Sequence, residues 1–192
     1  MDDPRYRFLK NIAILLTAGL IGWLSLEKFV LSTKPGEFAY QAGTNYFADG
    51  HYSKALGAYE EALKDNPGYI PALRGRGETL ITLNREGEAI AVYNNLIAME
   101  PDNAGHYANR GIAHDRLREY QQALKDYETA LTLDPEVGEG PNWLTRFLRN
   151  QPKNPPGIAA RARYLKEQLA LPPSERLLRV PDLDQTQRPY KK

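Results

Sequence analysis

The sequence predicts an all-α protein: an N-terminal transmembrane helix, then a helical solenoid of three repeated units, then capping helices and an extended tail. Two observations carry this. The first is a period. Pro67, Pro101 and Pro135 are 34 residues apart, and Gly43–Gly77–Gly111, Ala55–Ala89–Ala123 and Tyr59–Tyr93–Tyr127 keep the same step. Four residue types holding one phase over three copies mark stacked supersecondary units, each burying its apolar face only against its neighbours. The second is the apolar run from Ile12 to Leu31, uncharged as far as Leu26. Its length as a helix is about 30 Å, the thickness of a bilayer's hydrocarbon.

In chain order, residues 1–11 form a short N-terminus and 12–31 the anchor. Arg5, Arg7 and Lys10 precede the apolar run, while Lys28 and Lys34 follow it. The compact basic group in front favours a cytoplasmic N-terminus. Trp23 and Phe29 suit an interface at the far end. The expectation is a single-pass protein of the inner (cell) membrane with its repeats facing the periplasm or exterior. The absence of cysteine permits an oxidising compartment without requiring one. The rival reading is a cleavable secretory signal, since the uncharged core is short. Ser25, Leu26 and Glu27 are poor cleavage positions against it.

The repeated residues resemble the tetratricopeptide repeat pattern, which implies that each of three units, 36–69, 70–103 and 104–137, is a pair of antiparallel helices. The glycines fall midway along each first helix, where a missing side chain lets the second helix approach, at a cost of about 1 kcal/mol each in helix propensity. The alanines open the apolar face of the second helix, and the tyrosines, four residues later, fill the space between units. The prolines stop the second helix.

These residues resemble the tetratricopeptide repeat family. Unit three is nearest its pattern, with Tyr107, Gly111, Tyr120, Ala123, Tyr127 and Ala130. The family's usual tryptophan is replaced by Ala39, Leu73 and Tyr107, and Leu96 stands where a small alanine is usual. The resemblance implies a binding scaffold whose concave groove is lined by the first helix of each unit. By position that groove presents Tyr40, Thr44 and Phe47 from unit one and Arg74 and Glu78 from unit two. Unit three adds Asn109, Ile112, Asp115 and Arg116. A plain alternative is that Arg74–Glu78 and Asp115–Arg116 satisfy one another as solvated pairs. The family's carboxylate clamp for peptide C-termini uses lysines and asparagines in the first unit, where this chain has Tyr40 and Thr44.

Residues 138–171 are predicted to supply capping helices, since a solenoid end exposes an apolar face. One runs from Asn142 to Arg149 with Asn142 as N-cap, and one from Ile158 to Ala170 with Ile158, Ala162, Leu165 and Leu169 at helical spacing. An unrecognised fourth repeat is the runner-up, disfavoured by Pro155–Pro156 and by the lost phase. Residues 172–192 hold Pro172, Pro173, Pro181 and Pro189 among scattered charges and read as an extended basic tail. Residues 36–135 carry 9 Lys/Arg against 15 Asp/Glu, and 136–192 carry 11 against 6. A basic tail beside acidic repeats either docks on them or reaches an acidic partner or anionic lipid.

Catalytic chemistry has no foothold. Cysteine is absent, and none of Ser25, Ser32, Ser53 and Ser174 sits in a Gly-x-Ser-x-Gly setting. His51, His106 and His114 lack metal-ligand spacing, and the repeat-spaced glycines make no phosphate cradle. No cofactor, metal, nucleic acid or small-molecule substrate is expected. The functional expectation is a membrane-anchored protein-interaction scaffold, a subunit or assembly factor of an integral or membrane-apposed complex. The alternatives are a secreted or periplasmic adaptor after signal cleavage and a peptide-binding co-chaperone.

Overall fold

The structure, a computed structural model, describes residues 4–32, 35–138 and 157–179. It contains eight α-helices and no strand among the described residues. Helix α1 spans Pro4–Ser32, starting earlier than the apolar run. Its side chains from Arg7 to Leu24 are exposed. The helix pairs of the three units follow: α2 (Glu37–Ala48) with α3 (Tyr52–Asp65), α4 (Ile70–Thr82) with α5 (Glu86–Met99), and α6 (Ala104–Arg116) with α7 (Tyr120–Leu133). A single 3-10 turn, Pro135–Gly138, leads out of unit three, and α8 (Ile158–Ala170) packs on α7. The expected helix over 142–149 and the tail beyond residue 179 lie outside the described residues.

Each helix begins and ends for a local reason. Gly36 adopts a left-handed φ of 82° before α2, and a Cβ there would lie 2.4 Å from the Ala62 carbonyl oxygen, so only glycine fits. Pro71 in the first turn of α4 costs no helical hydrogen bond. The Asn103 side chain caps α6 by accepting from the Gly105 N–H at 3.1 Å. The turns inside the units repeat as faithfully as the core. Gly50, Asn84 and Arg118, again 34 apart, all have positive φ (76°, 57° and 66°). In each, the left-handed residue and its successor donate back to the end of the first helix, as in Asn84 N–H to Ile81 and Arg85 N–H to Leu80.

Packing explains the period. Ala55, Ala89, Ala123 and Ala62 are fully buried, as is Tyr127, with Tyr93 and Tyr59 nearly so. A Cβ on Gly43, Gly77 or Gly111 would stand 2.7–2.8 Å from the ring of Tyr59, Tyr93 or Tyr127 respectively. Each glycine is the seat of its own unit's tyrosine. Tyr59 is also pressed from the next unit, where a Cβ on Gly75 would come within 2.5 Å of its ring. Leu96, the departure in unit two, is fully buried within the main core. Gly138 closes the far end. A Cβ there would lie 2.5 Å from Leu131 and 2.9 Å from Ala159, so its absence lets α8 settle against α7.

Candidate functional site

The first helices, α2, α4 and α6, form the inner side of the solenoid. Helices α2 and α4 pack together, and Arg116 of α6 reaches back to donate to the Ile81 carbonyl of α4 at 2.6 Å. The groove residues expected from the sequence divide on this framework.

In unit one, Tyr40 is half-buried in an aromatic cluster, 6.0 Å from the Tyr59 ring and edge-on to Tyr69 at 5.4 Å. The Tyr69 hydroxyl donates to Glu37. Burial, and then this carboxylate, push the Tyr69 phenol up to about 12, so it remains a donor at neutral pH. Phe47 packs edge-on against Tyr52 at 5.2 Å. Thr44 is exposed, its hydroxyl donating to the Tyr40 carbonyl at 3.1 Å. Unit one therefore offers an aromatic wall with a small polar step.

Units two and three correct the expected pairings. Arg74 and Glu78 form no pair, and neither do Asp115 and Arg116. Arg74 is exposed and has no hydrogen bond or ion pair among the described residues. Glu78 is half-buried and interacts elsewhere. Arg116 is taken up by the Ile81 carbonyl and by Glu86 at 3.6 Å. Ile112 is 1% exposed and Asn109 5% exposed, so both are core positions and not groove surface. Asp115 is equally closed. Arg161 of α8 grips both its carboxylate oxygens at 2.7 Å, and the Tyr127 hydroxyl donates to it at 3.2 Å. Of the expected residues, Thr44 and Arg74 are exposed, and Tyr40, Phe47, Glu78 and Arg116 keep part of their surface.

Sequence reasoning missed two polar clusters that fix this arrangement. Arg161–Asp115 joins residues 46 apart. Arg110 donates to both oxygens of buried Asp126 (2.6 and 2.8 Å) and to Asn94, tying unit three to α5. Arg110–Asn94 has a counterpart one unit earlier in Arg76–Glu60 at 3.6 Å, so the period did carry a signal for that contact, whereas Asp126 is Val92 one unit earlier and Arg161 lies beyond the repeats, so for those partners it carried none. Among the described residues no group of three His, Asp or Glu side chains could hold a metal.

His106 is 2% exposed at its side chain and bonds Glu100 at 2.8 Å. Burial holds its pKa below the ordinary 6.5, against the opposing pull of Glu100, and the Glu100 carboxyl is held down in turn by the bond from His106. The folded state thus favours neutral His106 more than the unfolded chain does. Its contribution is present above about pH 6.5 and is lost as pH falls below it. Chemical denaturation is expected to show lower stability at pH 5 than at pH 7.5, with the difference reduced in His106→Gln. An unchanged pH slope in that variant rules this out.

Comparison with known proteins settles the architecture. Models of the tetratricopeptide repeat match residues 46–109 and 106–137. Residues 46–137 are tetratricopeptide repeats. RNA polymerase II-associated protein 3 of mouse is 32% identical over 126 residues, covering 64% of this chain and 19% of that protein. The chain therefore spans about a fifth of that relative. The first TPR of Spaghetti (RPAP3), solved bound to an HSP90 peptide, superposes with a TM-score of 0.58 at 21% identity, covering 73% of this chain and 97% of that one. At that identity it speaks for the fold alone. The TPR2B domain of yeast Sti1, solved as a complex with pHsp70, gives a TM-score of 0.51 at 29% identity, with 62% and 93% covered. Tetratricopeptide repeats of this kind are protein-interaction scaffolds, and protein partners follow.

These relatives also correct the expected location. Relatives named for RNA polymerase II or solved as a complex with pHsp70 belong to machinery inside the cell, not to an inner membrane with repeats facing a periplasm. Helix α1 supplies no counterweight. Its Arg7–Leu24 window has a mean hydropathy of 1.4 and qualifies as a span by length and composition only, a test that signal sequences also pass.

Proposed function

We propose that this chain is a peptide-holding adaptor of the co-chaperone type, which takes an extended segment of a protein partner along α2 and α4. The observation that carries the reading is Arg74, an exposed cation of α4 with no hydrogen bond or ion pair among the described residues, whose charge is felt by Glu100 and His106. Its groove neighbours Asp115 and Arg116 are already engaged. An exposed guanidinium on α4, in a solenoid whose α2 carries the aromatic residues Tyr40 and Phe47, suits a segment with one carboxylate and an apolar or aromatic side chain. Tyr40 and Thr44 put no cation at the groove positions of unit one. Recognition of a terminal carboxylate by a full clamp is therefore not part of the reading, and an internal acidic residue serves equally. The work is binding, not catalysis. The TPR2B domain of yeast Sti1, solved as a complex with pHsp70, favours this class over subunits of a membrane complex.

Fluorescence anisotropy with a labelled panel tests it. The panel holds the HSP90 peptide SRMEEVD, an Hsp70 C-terminal peptide and internal segments with one Asp or Glu beside an aromatic. At least one is expected to bind the full chain, with Arg74→Glu weakening it about tenfold or more, the loss of one charge-assisted bond. Equal binding by parent and variant, or no binding across the panel, overturns the reading.

A further inference from the structure

The chain after α8 folds back on the molecule. A 3-10 turn, Pro173–Glu175, redirects it, with the Glu175 N–H donating to the Pro172 carbonyl at 2.9 Å. Arg176 then closes the end of α8, its side chain donating to the Leu171 and Leu169 carbonyls at 2.8 and 3.1 Å. Leu177 and Leu178, which follow, are held by their main chain. The Leu177 N–H donates to the Gln168 side chain at 2.7 Å, the Tyr164 hydroxyl donates to the Leu177 carbonyl, and Arg161 Nη2 donates to the Leu178 carbonyl at 3.1 Å. Arg161, Tyr164 and Gln168 stand three and four residues apart, so they line one stripe of α8. Of the two leucines, Leu178 packs on the main core, whereas Leu177 is 70% exposed.

We propose that this stripe of α8, with the apolar contact under Leu178, is a second peptide-binding seat. It takes an extended segment of a protein partner that presents a leucine, and residues 177–178 are its resident occupant. The contacts read an extended backbone and one aliphatic side chain, the division of labour by which grooves recognise extended peptides. The seat also stands without its occupant. Arg161 keeps both donors on Asp115 at 2.7 Å, its guanidinium lies 5.6 Å from the centre of the Tyr164 ring, and α8 is docked through buried Ile158, Ala162 and Leu165. The occupant's hold, by contrast, is slight, since Leu178 is only half-buried and Leu177 and Arg179 are exposed. An outside segment therefore competes chiefly with the effective concentration of a short tether, on the order of millimolar. The seat lies on α8, apart from α2 and α4, so it neither uses Arg74 nor depends on the adaptor reading.

A synthetic peptide of residues 172–179, labelled at its N-terminus, is the probe, read by fluorescence anisotropy against the full chain. Leu178→Asp in the chain expels the resident segment, and that variant should bind the peptide about tenfold or more tightly than the parent does. Leu177→Pro removes the N–H that Gln168 accepts and leaves the core contact alone. It should raise binding in the same way, and it serves where the aspartate disturbs folding. Adding Tyr164→Phe and Gln168→Ala to either variant should take the gain away, and a probe carrying Leu178→Asp should bind none of these chains. Thermal melting by circular dichroism checks that each variant folds. A peptide that binds the parent and both expelled variants equally, binds none of them, or ignores Tyr164 and Gln168 overturns the proposal. Arg74 is untouched in every variant, so the peptide panel decides the adaptor reading independently.

Discussion

Replacing Tyr127 by alanine is expected to cost about 3–5 kcal/mol of folding stability, the range for truncating a large buried aromatic. The side chain is completely buried. Its ring lies on Gly111, where even a methyl group would come within 2.7 Å, so the ring sits in a slot that only glycine leaves open. Its hydroxyl also supplies one of the donors to buried Asp115. Alanine therefore removes the packing and a hydrogen bond together, and the two helices flanking the slot are held apart by the rest of the repeat. Tyr127→Phe isolates the second term and should cost about 1 kcal/mol. Lys125→Ala, at an exposed position two residues away, should stay within about 0.5 kcal/mol. Urea unfolding followed by circular dichroism reads all three. Similar losses for Tyr127→Ala and Lys125→Ala would show that the tyrosine does not fill the slot.

That slot is also where the sequence was most informative. Glycine at 43, 77 and 111 and tyrosine sixteen residues later form one contact seen three times, so period alone revealed both partners. The capping helix was legible for a different reason. Ile158, Ala162 and Leu165 follow helical spacing, and all three are buried in the structure. The groove was read less well because position within a repeat does not determine exposure at the end of a stack. Thr44 and Ile112 occupy equivalent places two units apart, yet Thr44 is exposed and Ile112 is buried. Charge pairing failed as a guide for a related reason. Helical spacing made Arg74–Glu78 reasonable neighbours, yet Arg74 stays exposed, and Asp115 and Arg116, consecutive on α6, face different partners. Arg161 meets Asp115 with both donors aligned, and no local pattern connects residues 46 apart. Location was misread because an apolar helix is a statement about one segment, whereas the relatives speak for the repeats.

The second large effect is expected at that Arg161–Asp115 pair. The two side chains are only 7% and 4% exposed. Removing Arg161 by substitution with alanine leaves a carboxylate buried without its counter-charge, which costs about 3–5 kcal/mol. Asp115→Ala should cost a similar amount, because the guanidinium is then the stranded charge. The pair itself contributes far less than either loss suggests, since both ions were desolvated to form it. Replacing the two together, Arg161→Met with Asp115→Leu, should therefore recover most of the stability, and a double-mutant cycle should show coupling of about 0.5–3 kcal/mol or more. Lys166–Glu128 is the internal control. It joins α8 to the neighbouring helix α7 at 2.8 Å, but its side chains are 71% and 47% exposed. Water screens such a pair, so Lys166→Ala should change stability by less than about 1 kcal/mol. Arg161 also holds the Leu178 carbonyl. Its loss should thus release the C-terminal segment as well as the cap, raising amide exchange over 176–179 even under conditions where the repeats stay folded. If Arg161→Ala and Lys166→Ala prove equally mild, or if the single and double substitutions simply add, the buried pair is not what fastens α8 to α6.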